Sequence, residues 1–83
     1  MSVTFNKTIS YGNPQLISFS STDNLATVQT LNYMQDVCSS YPFVAGDIVI
    51  IQYMNDDSSL STGFFSASFD VNGNVTVTQV VKF

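Results

Sequence analysis

Phe64-Phe65-Ser66-Ala67-Ser68-Phe69-Asp70-Val71-Asn72-Gly73-Asn74-Val75-Thr76-Val77-Thr78 is the stretch on which the fold of this chain turns. Apolar and hydroxyl side chains alternate on both sides of a polar break, the period-two pattern of two strands joined by a turn. Two registers compete. A two-residue loop at Asn72-Gly73 pairs Val71 with Asn74, which sets Phe65, Ala67 and Phe69 opposite Val80, Thr78 and Thr76 and mixes the faces. A three-residue loop, Val71-Asn72-Gly73, pairs Asp70 with Asn74 instead. Gly73 then takes the left-handed position of a bulge, and Asp70 starts a type I turn. Phe69 faces Val75 and Ala67 faces Val77, while Ser68 faces Thr76 and Ser66 faces Thr78. One face becomes apolar and the other hydroxyl-rich, so this second register is the expected one.

Working outward, Ala45-Gly46-Asp47 reads as a turn into Ile48-Val49-Ile50-Ile51-Gln52-Tyr53-Met54, a run apolar on both faces as a central strand is. Asn55-Asp56-Asp57-Ser58-Ser59 is a polar loop, followed by strands over 63–70 and 74–81. Upstream lies the helical stretch. Ser21 or Thr22 is placed to cap it, with Asp23 in the first turn. Apolar spacing predicts a helix over about 23–30 and a second helical turn over about 31–38, closed before Pro42. Residues 1–19 read as an extended arm. Val3, Phe5, Ile9 and Tyr11 share one parity there, and Ile17 and Phe19 share a face beyond the break at Gly12-Asn13-Pro14. The expectation is a mainly β chain with a minor α component. It is a small antiparallel, barrel-like sheet over 20–83, with one or two short helices and the N-terminal arm over 1–19.

Composition narrows the function. Eighty-three residues hold one small core, and small folds draw extra stability from disulfides, metals or partner subunits. Cys38 is the sole cysteine and there is no histidine, so an oligomer is the expected source, with a trimer favoured. Ser, Thr, Asn and Gln make up 32 of the 83 residues, whereas charged residues are 10%, against about a quarter in an ordinary domain. A neutral polar surface can be covered by a neighbour without desolvating many charges. An ordinary domain with a Ser/Thr-rich surface is the plainer reading of the same numbers. Two lysines, no arginine and a net charge of −4 cannot neutralise a run of phosphates, so nucleic acid is not expected as a partner. The N-terminal residues lack the pattern of a secretory signal, and no apolar run is long enough to span a membrane.

Catalytic chemistry is poorly supplied. There is no imidazole base and no glutamate, and Cys38 has no neighbouring cation to make it a thiolate. No phosphate loop or nucleophile elbow occurs. The chain is therefore expected not to be an enzyme, and no cofactor or metal is assigned. The Asp56–Ser59 loop offers oxygen ligands of the kind calcium accepts, without the alternating spacing of a calcium-binding loop; a solvated hairpin loop is the competing reading. Phe64 and Phe65 are adjacent and must point to opposite faces. Phe64, paired with Val80 on the hydroxyl face and joined by Phe83, forms an apolar spot suited to a subunit contact. Val3, Phe5, Ile9, Tyr11, Phe64, Val80 and Phe83 are thus the candidate protein-contact residues. The arm over 1–19 packs on a neighbouring subunit or on its own domain.

Ser21-Thr22-Asp23-Asn24-Leu25-Ala26-Thr27-Val28, then Leu31-Asn32-Tyr33-Met34, then Ala45-Gly46-Asp47-Ile48-Val49 together resemble a family of small virion structural proteins of tailed bacteriophages. The resemblance covers about residues 20–81 and lies in the order and spacing of short motifs. It departs where Asn32 stands in place of the usual glycine before Tyr33, and residues 1–19 carry no recognisable motif. What it implies is a small phage structural protein with no catalytic residues. Within that setting a capsid decoration or cement role, through the major capsid protein or other virion proteins, is the expected one, because the domain is compact and lacks a receptor-binding repeat or long fibre stalk. A tail, neck or fibre-attachment component is the alternative within that setting. A receptor- or glycan-binding module, using Tyr33, Tyr41, Tyr53 and the Asp56–Ser59 loop, is the alternative outside it.

Overall fold

The computed structural model describes residues 3–12, 14–40 and 42–82. Strands β1 (Val3–Ser10) and β2 (Leu16–Ser21) are followed by two short helices, α1 (Leu25–Val28) and α2 (Gln35–Ser40). Strands β3 (Ile48–Met54), β4 (Leu60–Phe69) and β5 (Val75–Lys82) complete a five-stranded sheet in the order β1-β2-β3-β4-β5. The mainly β reading holds. Two parts of the expectation are corrected. The sheet is open and not barrel-like, because β1 and β5 lie at opposite edges. Nor is it wholly antiparallel, since β2 and β3 run parallel, with Ile17 beside Val49 and Phe19 beside Ile51. A parallel pair needs a long crossover, and the helical stretch between β2 and β3 is that connection.

Residues 1–19 are not a separate arm over their described part. β2 sits inside the sheet between β1 and β3, and Ile17 and Phe19 are core residues. The physical reason is the parity read from the sequence, satisfied within the same chain. Phe5 pairs with Phe19, and their rings meet edge to face at 5.9 Å. Phe43 continues the row, 6.2 Å from Phe19 and 6.2 Å from Phe69. Ile17, Phe19, Val28, Met34, Phe43, Val49, Ile51, Tyr53, Phe65, Ala67, Val75 and Val77 form the buried cluster. The helical connection supplies Val28 and Met34, so the apolar face of the sheet is covered from that side. Burying each such large side chain stabilises by about 1.5–3 kcal/mol.

The hairpin register is the expected one. Phe69 pairs with Val75, Ala67 with Val77, Ser68 with Thr76 and Ser66 with Thr78. Gly73 has φ +83°, and its N–H donates to the Asp70 carbonyl at 3.1 Å. The Asp70 carboxylate accepts the N–H groups of Asn72 and Asn74, each at 2.9 Å, and the Asn74 side-chain amide at 3.0 Å. Bonding from Asn74, side chain first and backbone second, holds the Asp70 carboxyl below its ordinary range.

The helices start later than expected. Asn24, and neither Ser21 nor Thr22, caps α1, its side-chain oxygen accepting the Thr27 N–H at 2.9 Å. Asp23 precedes the cap, and the Ser21 hydroxyl accepts the Asp23 N–H at 3.0 Å. The second helical turn is displaced to Gln35–Ser40 because Asn32 interrupts it at φ +62°. Asparagine tolerates that left-handed conformation better than most residues. Its amide also bridges to the far hairpin, donating to the Asn74 Oδ1 at 2.9 Å and accepting the Val75 N–H at 2.9 Å. Asn32 thus supports the left-handed turn before Tyr33 with two side-chain hydrogen bonds.

Candidate interaction face

The alternation that buries one side of the sheet leaves the other side with its own rows. Leu16, Ile48, Ser66 and Thr78 stand side by side on β2 to β5, and the next row is Ser18, Ile50, Phe64 and Val81. Ser20, Gln52 and Thr62 form a third row. Apolar Leu16, Ile48, Ile50, Phe64 and Val81 are interspersed with neutral polar groups across these rows. Ile48, Ile50 and Phe64 are half-buried, shielded by their cross-strand neighbours, and Val81 is 47% exposed. Ile48–Met54 is the central strand that its two-sided apolar run predicts. Only Val49, Ile51 and Tyr53 are in the core. No helix among the described residues lies on the side of Ile48 and Ile50.

This face is nearly free of charge. The chain's two basic residues fall on the two edge strands, Lys7 opposite Ser18 on β1 and Lys82 opposite Gly63 on β5. Both edges are also irregular. β1 shifts register between Phe5 and Lys7 and again between Thr8 and Ser10, and the β4–β5 ladder shifts at Phe64/Phe65. Lysines and bulges on edge strands disfavour pairing with another strand.

The residues expected to make protein contacts do not form one patch. Val3 and Phe5 pack against the core of their own chain. Ile9 and Tyr11 are exposed, 48% and 85%, at the other end of β1. Phe64 lies on the hydroxyl-rich side as expected, but it pairs with Val81 and not Val80. The cause is a one-residue bulge that leaves Val80 as the extra residue, 59% exposed. Phe83 lies outside the described residues.

Of the aromatic set considered for a glycan, Tyr53 and Tyr33 are engaged in internal bonds. Tyr53 is buried, and its hydroxyl accepts the Gln79 side-chain amide at 3.0 Å. The Tyr33 hydroxyl donates to Asp23 Oδ2 at 2.5 Å and takes part in a second bond with the Ser21 hydroxyl at 2.7 Å. Burial first, and then the bond to Asp23, push the Tyr33 phenol up to about 12. Tyr41 lies outside the described residues. The Asp56–Ser59 loop is closed on itself: Asp57 accepts both the N–H and the hydroxyl of Ser59, at 3.0 and 2.6 Å. Asp56 accepts the Asn24 amide at 3.1 Å. Among the described residues, no three His, Cys, Asp or Glu side chains come together.

Asp47 is the polar residue that sequence reasoning undervalued. Read as a turn residue, it is 2% exposed. Its carboxylate accepts the Gln15 N–H at 3.0 Å, the Gln15 side-chain amide at 3.2 Å and the Val44 N–H at 2.9 Å. It therefore ties the start of β2 to the start of β3. Cys38 borders a shallow depression lined by Gln35, Ser39, Phe69, Gly73 and Val75. Its thiol lies 3.5 Å from the Phe43 carbonyl as a weak donor.

No protein-family model matches this chain, and comparison with curated proteins and with solved structures returns no match.

Proposed function

We propose that this chain is a structural module of a bacteriophage virion that decorates or cements the shell by protein–protein contact. The observation that supports it best is the open sheet face, where Ile48 and Ile50 lie among Ser18, Ser20, Thr62, Ser66 and Thr78 with no charge inboard of the edge lysines. Such a face can be covered at low desolvation cost. The guarded edges direct association to the face and away from strand addition. The motif order over residues 20–81 supplies the virion setting. Quantifying the protein in purified particles tests this reading. Hundreds of copies per particle are expected for a shell component. A dozen or fewer would transfer the protein to the tail or neck, and absence from particles would end the virion reading.

A further inference from the structure

We propose that Asn72, in the β4–β5 turn, is a site of spontaneous backbone modification. Its side-chain amide is lost as ammonia through a succinimide closed by the Gly73 nitrogen, leaving aspartate or isoaspartate. This chemistry is independent of the virion reading.

The step is an acyl transfer within the chain, and water is its only co-reactant. The Gly73 nitrogen gives its proton to solvent and bonds to Asn72 Cγ. The bond from Cγ to Nδ2 breaks, and the departing amide takes up a proton and leaves as ammonia. Water then opens the ring at either carbonyl. Cleavage between the Gly73 nitrogen and Cγ gives aspartate. Cleavage between that nitrogen and the Asn72 carbonyl carbon gives isoaspartate, whose main chain runs through Cγ.

Three observations single out Asn72. The first is its neighbour. Of the seven asparagines, Asn72 alone precedes glycine, which has no β-carbon to obstruct the attacking nitrogen. The space where a β-carbon would stand on Gly73 is open, with nothing within 4 Å. Asn13 precedes proline, which has no N–H to give up. The second is freedom of the side chain. Asn6, Asn24, Asn32, Asn55 and Asn74 all hold their side-chain amides in hydrogen bonds. Asn72 is exposed, and among the described residues it bonds through its backbone N–H and not its side chain. The third is place. The turn leads into the edge strand β5, and such exposed loops open at little cost in free energy.

The same turn sets the rate. The Gly73 N–H donates to the Asp70 carbonyl at 3.1 Å. The Asp70 carboxylate accepts the N–H groups on either side of it, those of Asn72 and Asn74, each at 2.9 Å. The attacking nitrogen is therefore tied down beside a negative charge that opposes its deprotonation, and it reacts when the turn opens. Asp70 acts as a brake. Isoaspartate lengthens the three-residue loop by a methylene and so loosens the register that the loop pins. Each event adds one negative charge to a chain whose net charge is −4.

Incubating the folded chain in mildly alkaline buffer, with sampling by ion exchange and peptide mass spectrometry, tests the proposal. Asn72→Gln, Asp70→Ser and the parent in urea are run alongside, with folding of the variants checked by circular dichroism. Serine keeps a turn-capping oxygen without the charge. The expected first product is a more acidic species in which the Asn72 amide has become an acid. Part of it should accept a methyl group from an isoaspartyl methyltransferase. This product should be missing in Asn72→Gln, whose longer side chain closes a ring far more slowly. It should form several-fold faster in Asp70→Ser and in urea. A first acidic product that maps to another asparagine overturns the proposal, as does an Asn72 amide that outlasts the others in the folded chain. Equal rates in the parent, in Asp70→Ser and in urea reject the brake assigned to Asp70.

Discussion

The side-chain amide nitrogen of Gln79 lies 2.3 Å from the point where a β-carbon on Gly63 would stand, and the Val81 carbonyl lies 2.8 Å from it. Gly63 is the clearance that lets Gln79 cross β4 to the Tyr53 hydroxyl while its N–H meets the Gln29 side-chain oxygen at 2.8 Å. Gly63→Ala is expected to destabilise by about 1–3 kcal/mol, the usual range for overpacking a tight site. Gln79→Ala in the same chain should recover part of that loss, giving a favourable coupling in a double-mutant cycle read by urea unfolding. Additive losses would show that Gln79 is not the obstacle.

At the β4–β5 turn, Gly73 is left-handed and its amide closes the loop. Gly73→Ala should cost about 1 kcal/mol or more and Gly73→Asn less, because asparagine tolerates that region. Phe69 is half-buried at the rim beside Phe43. Phe69→Ala is therefore expected to cost about 2–3 kcal/mol, below the 3–5 kcal/mol of a fully buried phenylalanine. Ser66→Ala should stay within about 0.5 kcal/mol of the parent. A large loss at Ser66 with none at Phe69 would invert the faces.

Asp47→Ala would leave the part-buried N–H groups of Gln15 and Val44 without their acceptor. Each orphaned donor costs about 1–3 kcal/mol. A midpoint in urea lowered by the equivalent of about 2–4 kcal/mol, with an unchanged slope, is expected. Asp47→Asn retains one acceptor oxygen and should fall between. An Asp47→Ala variant as stable as the parent would show that water replaces the carboxylate.

Tyr33 gives the alkaline pH dependence. Its phenol is held protonated up to about 12 in the folded chain, against about 10 in an unfolded one. A raised folded value means stability fully present below about pH 10 and lost as pH climbs toward 12. Denaturation midpoints should therefore fall more steeply over that interval in the parent than in Tyr33→Phe. An ultraviolet titration should show one tyrosine ionising last, and missing in Tyr33→Phe. Parallel stability profiles would sink the assignment.

The parts of the fold legible in the sequence are those set by neighbours along the chain. Phe65 to Val77 carry both a period and a turn chemistry, so their register followed from residues close in sequence. The parallel seam between β2 and β3 carries no such mark. Leu16–Phe19 and Ile48–Ile51 are apolar runs that fit either direction, and only the packing of the helical connection chooses. Asp47 was undervalued for a similar reason, since its partner Gln15 lies far away in sequence. Ser21, Thr22 and Asn24 are all competent caps, and the winner depends on Ser21 being drawn into the bond with Tyr33. Of the candidate site, Phe64 was legible. Ile48 and Ile50 were not, because an apolar strand looks the same whether its second face is covered or open.

The single parallel seam divides the chain by distance along the sequence. β1 with β2 forms one local hairpin, and β3 with β4 and β5 forms a local meander. Each of these can pair within microseconds of its residues being available, whereas the seam must first close the helical connection. During synthesis the hairpin emerges first, with Phe5 and Phe19 paired on a surface that nothing yet covers. It has to wait for Val49 and Ile51 before that surface is buried. Slow, seam-limited maturation is the kinetic consequence, and the interval before closure is when the nascent chain is most exposed to aggregation.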